Sequence, residues 1–209
     1  SRTFKDYDEI ASKLLSLPSV KGSAPLIRSQ IMATFDNRNT GLEVFGISYE
    51  NLLRLDRIAK PEEFEGDMND FKNGIAIGSG VARELGVKVG DSIKLISPNG
   101  VRTAFGTSPR VKQFKIVYIF TAGRYDIDRT RSYLPFSVAQ EYFNREGLAD
   151  EIEVLLNNPS NLIEATSQIE NVVAPDVQLW TWRDASSSFL RALEIEDNVM
   201  FVLMSILVM

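Results

Sequence analysis

The chain has 209 residues, 44% apolar and 24% charged, the profile of a folded protein with room for two modest subdomains. It contains neither cysteine nor histidine, which excludes disulfides, thiolate nucleophiles, zinc–thiolate sites and every Ser-His-Asp arrangement. The net charge of −5 is uneven: across residues 88–116, Lys88, Lys94, Arg102, Arg110, Lys112 and Lys115 stand against Asp91 alone, so this stretch is +5 and the remainder −10. Such a stretch reads either as a local basic surface or as scattered solvated positions, and the acidity of the whole argues against nucleic acid as a ligand.

Phe4, Tyr7, Ile10, Ala11, Leu14 and Leu17 recur at helical spacing behind Thr3-x-x-Asp6 and stop before Pro18, predicting a first helix that packs on a sheet. Residues 26–35 and 42–47 read as strands joined by a polar turn over 36–41, so the chain opens α-β-β. Residues 49–73, acidic at Glu62, Glu63, Glu65, Asp67 and Asp70, read as a short helix plus loop. They lack the alternating ligand spacing of a calcium loop and are expected to be solvated. Next, 74–78 is a short strand leading into a helix capped by Ser79 and closed by Gly86. Gly78-Ser79-Gly80 is half of a dinucleotide fingerprint, but position 83 is Arg where a third small residue is needed, and a tight strand-to-helix turn explains the glycines without a phosphate.

Residues 92–97 and 111–121 read as partner strands, the second alternating Phe114, Ile116, Tyr118 and Phe120. Between them, Pro98-Asn99-Gly100-Val101-Arg102-Thr103-Ala104-Phe105-Gly106-Thr107-Ser108-Pro109 reads as a loop far longer than an ordinary hairpin connection, with Phe105 exposed in it. Ordered loops of that length are often functional, although a tolerated surface insertion would look the same. Residues 132–136 form another short strand, and Ser137-x-x-Gln140 is a capping box for a helix through Phe143. A second α/β unit follows: a strand over 151–156, a helix from Pro159 to Asn171, and a strand over 177–182 whose Trp180 and Trp182 read as core residues in preference to membrane-interface ones.

A last helix opens at Thr181-x-x-Asp184 and is expected to run into Val199-Met200-Phe201-Val202-Leu203-Met204-Ser205-Ile206-Leu207-Val208-Met209, which has one hydroxyl and no charge. That run reads as the first half of a membrane span; a full span needs about 20 residues, so a buried core helix or apolar strand is the alternative. The opening residues have no leader core, and the fragment is expected to start inside a larger protein. The similar opening and closing units suggest an α+β organisation in which 1–48 and 148–197 form one α/β subdomain, 49–147 an inserted β-rich one, and 198–209 the start of a transmembrane helix.

The run Gly74-Ile75-Ala76-Ile77-Gly78-Ser79-Gly80-Val81-Ala82-Arg83-Glu84-Leu85-Gly86-Val87-Lys88-Val89-Gly90-Asp91 resembles the periplasmic domain of the MacB/FtsX-type ABC permease superfamily. Gly46-Ile47, Glu65-Gly66-Asp67 and Trp182-Arg183-Asp184, with Phe189 and Glu196, support it, and the LolC/LolE-type lipoprotein-releasing permeases fit best. The resemblance implies a Porter subdomain from both chain ends with an inserted Sabre subdomain, set between two transmembrane helices of a bacterial inner membrane permease. It also implies a Hook at residues 98–109 that engages a LolA-type periplasmic carrier, above a basic pad at Lys94, Lys112 and Arg110. Lys94 and Lys112 stand where arginine is usual in the family, which weakens bidentate recognition. No cofactor or catalytic residue is implied: a LolD-type ATPase would hydrolyse ATP, since this chain has no phosphate-binding loop. A second permease subunit and lipoprotein cargo complete the implied partners. A MacB-like efflux or FtsX-like regulatory permease domain would share the fold without the Hook, and a soluble ligand-binding domain is a more distant alternative.

Overall fold

The structure, a computed structural model, describes residues 3–103, 106–175 and 177–185, with the backbone alone over 99–103 and 106–107. Helix α1 (Tyr7–Leu15) buries Leu14. Strand β1 (Val20–Phe35) is 16 residues long because its two halves serve different partners. Its first half, Val20 to Leu26, pairs antiparallel with β8 (Glu151–Leu156); its second half, Ile27 to Phe35, pairs with β2 (Arg38–Ile47). Arg28 sits where the partner changes, and its guanidinium binds Glu43 of β2 at 2.6 Å and approaches Glu151 of β8 at 3.7 Å. The link from β1 to β2 is shorter than the six-residue turn expected at 36–41: Asp36, at φ +49°, and Asn37 make it alone, leaving Arg38 already in the strand.

Helices α2 (Tyr49–Leu52) and α3 (Asp56–Ala59) follow, and then β3 (Glu63–Gly66), where loop was expected; it pairs with β6 (Gly106–Thr121). All four β3 residues are exposed, so no burial pattern marks the strand in the sequence. A 3₁₀ turn over Met68–Asn73 buries Met68 and Phe71. After it come β4 (Ile75–Gly78), α4 (Ser79–Leu85), β5 (Ser92–Thr103), α5 (Tyr125–Thr130), β7 (Arg131–Pro135) and α6 (Phe136–Phe143). The pairings β1–β2, β2–β7, β7–β4, β4–β6, β6–β5 and β5–β1 close a ring of six strands, with β3 and β8 attached outside it.

Alternation divides the buried side chains of that ring into two clusters. Ile27, Ile31, Leu42, Val44, Ile75, Ile77, Ile93, Leu95, Phe114 and Ile116 meet Val81 and Leu85 of α4 and Ala139 and Tyr142 of α6. Phe45, Ala76, Tyr118, Phe120 and Tyr133 meet Leu52 of α2, Ile58 of α3 and Phe71. The first cluster mixes residues 27–44 with 75–143, so the β1–β2 hairpin shares a core with the middle of the chain.

Several helix starts differ from the sequence reading. Helix α4 is preceded by Gly78 as N-cap, not by Ser79, and α6 begins at Phe136 behind Pro135 with no side-chain cap, so Ser137 and Gln140 do not form a capping box. Gln140 instead turns inward and donates to the Leu148 carbonyl at 2.8 Å. Helix α7 (Leu162–Glu170) starts after Asn161, three residues beyond Pro159. No strand forms over the described residues of 177–182; Trp180 is 78% and Trp182 47% exposed, so neither lies in the core. The Thr181 and Asp184 pair does cap α8 (Trp182–Ala185), each accepting from the other's backbone N–H. The run expected to enter a membrane, 198–209, lies outside the described residues, as does the stretch 186–197 leading to it; among those described, no helix is long and apolar enough to cross one.

Candidate partner-binding hairpin

Residues 98–109 are not the loop expected from their length. The β5–β6 ladder continues through them, pairing Val101 with Ser108, Arg102 with Thr107 and Thr103 with Gly106. Ala104 and Phe105, the latter expected to be exposed, lie outside the described residues. β-branched Val101, Thr103 and Thr107 favour this extended course. The register slips between Ser97 and Val101, where β5 spends two more residues than β6 does between Arg110 and Ser108. This bulge falls at Pro98 and close to Pro109, where missing N–H groups would have broken a regular ladder in any case.

Strand β1 pairs with β5 only at Lys94, Leu95 and Ile96. Beyond Ser97 and Arg110 the two strands pair, among the described residues, only with each other, so a two-stranded ribbon leaves the ring for about 15–20 Å.

The three basic residues at its root do not share one surface. Lys94 pairs with Thr34 and Gln113, whereas Lys112 pairs with Leu95, so the two lysines point to opposite faces of the sheet. Lys112 lies on the α6 side, 3.1 Å from Glu141 and over the Phe114 ring. Lys94 is exposed on the other face, whose neighbours include Met32 and Val111, 49% and 55% exposed. There an open apolar cavity of about 690 Å³ runs along Met32, Ile96, Pro98 and Pro109.

Arg110 is committed to the protein itself. One guanidinium nitrogen donates to the carbonyls of Glu141 (2.8 Å) and Tyr142 (2.9 Å), and another donates to Asn144 Oδ1 at 2.6 Å. These are groups at the C-terminal end of α6, where unpaired carbonyls and the helix dipole favour a cation. In return the Tyr142 hydroxyl, buried in the core, donates to the Leu95 carbonyl at 2.8 Å with the Arg110 carbonyl at 3.2 Å. Burial pushes this phenol up to about 12, against the opposing pull of the Ser97 N–H and the Arg110 charge. Tyr142 was read only as part of a helix. Asn144, left-handed at φ +53°, ends that helix, and an Asn two residues after an aromatic was the one available signal.

Gly78 and Gly80 also receive a structural reason. A Cβ on Gly78 would lie 2.3 Å from the Asp128 carbonyl oxygen, and one on Gly80 2.7 Å from the same atom. Asp128 is pinned there by accepting the Ala122 N–H at 2.7 Å, and Arg129 by Glu84 of α4 at 3.0 Å. The glycines admit the backbone of α5.

A family model for the MacB-like periplasmic core domain matches residues 1–172. The chain belongs to that family. It is 26% identical over 194 residues to the lipoprotein-releasing system transmembrane protein LolC of Neisseria meningitidis serogroup B, covering 90% of this chain and 46% of that protein. It is 23% identical to LolE of Haemophilus influenzae, covering 99% and 50%. The chain thus spans about half the length of the curated relatives it matches. Among solved structures, the extracellular domain of the noncanonic ABC-type transporter YknZ from Gram-positive bacteria superposes with a TM-score of 0.55 at 14% identity, covering 81% of this chain and 82% of that one. The periplasmic region of MacB from Actinobacillus actinomycetemcomitans gives 0.52 at 10% identity, covering 79% and 72%. These likenesses establish a mixed α+β fold of the MacB-like kind.

Proposed function

We propose that this MacB-like domain is the periplasmic part of an inner-membrane ABC permease that releases lipoproteins and passes them to a LolA-type carrier. The observation that carries this reading is the ribbon beyond Ser97 and Arg110, which pairs with nothing else in the domain among the described residues. A projecting ribbon with preset strand geometry loses little conformational entropy when a partner closes on it. Residues 98–109 would act as its Hook-like contact and Lys94 as the pad-like cation available on the open face. Lys112 and Arg110 are engaged with α6 and would act through the position of the ribbon.

The names of the relatives support lipoprotein release as the work of the whole machine. In that reading a LolD-type subunit hydrolyses ATP, a second permease completes the pair, and the apolar run 199–209 continues as a membrane span. The Porter-like part would comprise α1, the first half of β1, β8 and α7. The Sabre-like part would be the strand ring, with the boundary inside β1 near Arg28 and not at residue 48.

Calorimetric titration with the LolA-type carrier of the same organism tests the proposal. Replacing 99–108 with a two-residue Asn-Gly turn is expected to abolish binding and leave the melting transition intact, since that turn suits antiparallel strands. A folded replacement variant that binds the carrier at unchanged affinity would overturn the reading in favour of an efflux or regulatory permease domain.

A further inference from the structure

The sequence leaves the ribbon's root with two difficulties. A bulge at 97–101 interrupts the ladder where the ribbon leaves the ring, and a two-stranded ribbon has little of its own to fix its direction. Yet the root carries two contacts that run in opposite senses between the same elements. The Tyr142 side chain of α6 reaches the Leu95 and Arg110 carbonyls on both strands. The Arg110 side chain of β6 reaches the Glu141 and Tyr142 carbonyls and Asn144 at the end of α6.

We propose that Tyr142 and Arg110 form a reciprocal brace that sets the direction in which the ribbon projects, making both positioning residues for whatever partner the ribbon engages. Each residue holds the other's main chain, so neither contact can open without straining the other. The phenol lies on the ring side of the bulge, touching both strands at the last pairs before the register slips. The guanidinium ties the same point to a helix whose Ala139 and Tyr142 are embedded in the core. A swing of the ribbon must therefore break hydrogen bonds to two separate elements. Lysine cannot replace Arg110 in this role, because one ammonium on a flexible stem does not present the planar fork that reaches two carbonyls and an amide together. Where the partner is the carrier, the inference rests on the function proposed above; the brace itself does not.

The chain has no cysteine, so Glu63→Cys on β3, opposite Thr121 at the far end of β6, and Ser108→Cys in the ribbon can carry a spin-label pair, both at exposed positions. Pulsed dipolar spectroscopy is expected to give one narrow distance distribution in the parent and a broadened one in Tyr142→Phe and in Arg110→Lys. Amide exchange at Ser97 should be about ten-fold faster in Tyr142→Phe, as expected when one buried hydrogen bond is lost. Carrier affinity should fall several-fold in both variants. Arg110→Lys matters most, because it keeps the charge: a lysine that retained full carrier affinity and a narrow distribution would show that Arg110 acts only as a cation and would overturn the brace. Unchanged distributions in both variants, with cooperative melting retained, overturn it as well. Broadened distributions with undiminished carrier binding uphold the brace and count instead against the ribbon as the carrier's contact.

Discussion

Replacing Gly78 with alanine tests whether the Gly78-Ser79-Gly80 turn exists for packing or for a ligand. Its backbone, at φ −67° and ψ 148°, is allowed for any residue, so conformational strain contributes nothing. Alanine would even restrict the unfolded chain, a gain of about 0.4–1 kcal/mol. Against this, the new Cβ falls 2.3 Å from the Asp128 carbonyl oxygen, with the carbonyl carbon at 2.8 Å and the Cα at 2.9 Å. All three are main-chain atoms, so no side chain can rotate away, and α5 must move by roughly an ångström against contacts to Ala122 and Glu84. Overpacking of this kind costs about 1–3 kcal/mol, and a backbone obstacle belongs at the upper end. The expected net loss is about 2 kcal/mol, which for a domain of this size lowers Tm by roughly 4–8 °C. Thermal melting by circular dichroism reads it directly. Gly41→Ala is the control: nothing lies within 4 Å of its Cβ, and a change within about 0.5 kcal/mol is expected. If Gly78→Ala melts together with Gly41→Ala, the close approach of α5 is not what these glycines serve.

Lys94→Glu should slow carrier association and weaken its salt dependence, read by stopped flow at two ionic strengths. Lys112→Ala should alter that rate less, because its ammonium already faces Glu141 on the opposite sheet face; equal effects would contradict the two-faced arrangement. Burial raises the phenols of Tyr118, Tyr133 and Tyr142, the last to about 12. Since these folded-state values lie above the unfolded value of 10, their contribution to stability is fully present below pH 10 and is lost as pH rises toward 12. Absorbance near 295 nm should therefore show Tyr118, Tyr133 and Tyr142 ionising late, together with alkaline unfolding, and Tyr142→Phe should make that loss less steep. Ionisation of these three phenols while the domain is still folded, at the pH of a free phenol, would refute the burial argument.

What could be read from the sequence was local and periodic. The alternation of Phe114, Ile116, Tyr118 and Phe120 marks a strand whose four side chains are all buried, Gly86 closes α4 in the left-handed conformation its position suggests, and Thr181 with Asp184 caps α8 through bonds between residues only three apart in the chain. Such signals survive because their physics acts within a turn or along one face. The resemblance of residues 74–91 led to the family for the same reason: a strand, a glycine turn and a helix are contiguous there.

Tertiary structure decided the rest. Strand β3 shows no pattern because all four of its residues are exposed, and only the free edge of β6 makes it a strand. The prolines at 98 and 109 suggested a loop, but a bulge in β5 absorbs them and the ladder resumes. Lys94 and Lys112 look like one basic pad in sequence; register places them on opposite faces, since each step along a strand reverses the side chain. Arg110 looked like a surface cation until α6, some thirty residues later, brought the carbonyls of Glu141 and Tyr142 to meet it. Sequence determined which segments could be strands and helices and which turns needed glycine. Which strands close the ring, and which charges remain available to a partner, depend on residues far apart in the chain and so were settled only when the chain folded.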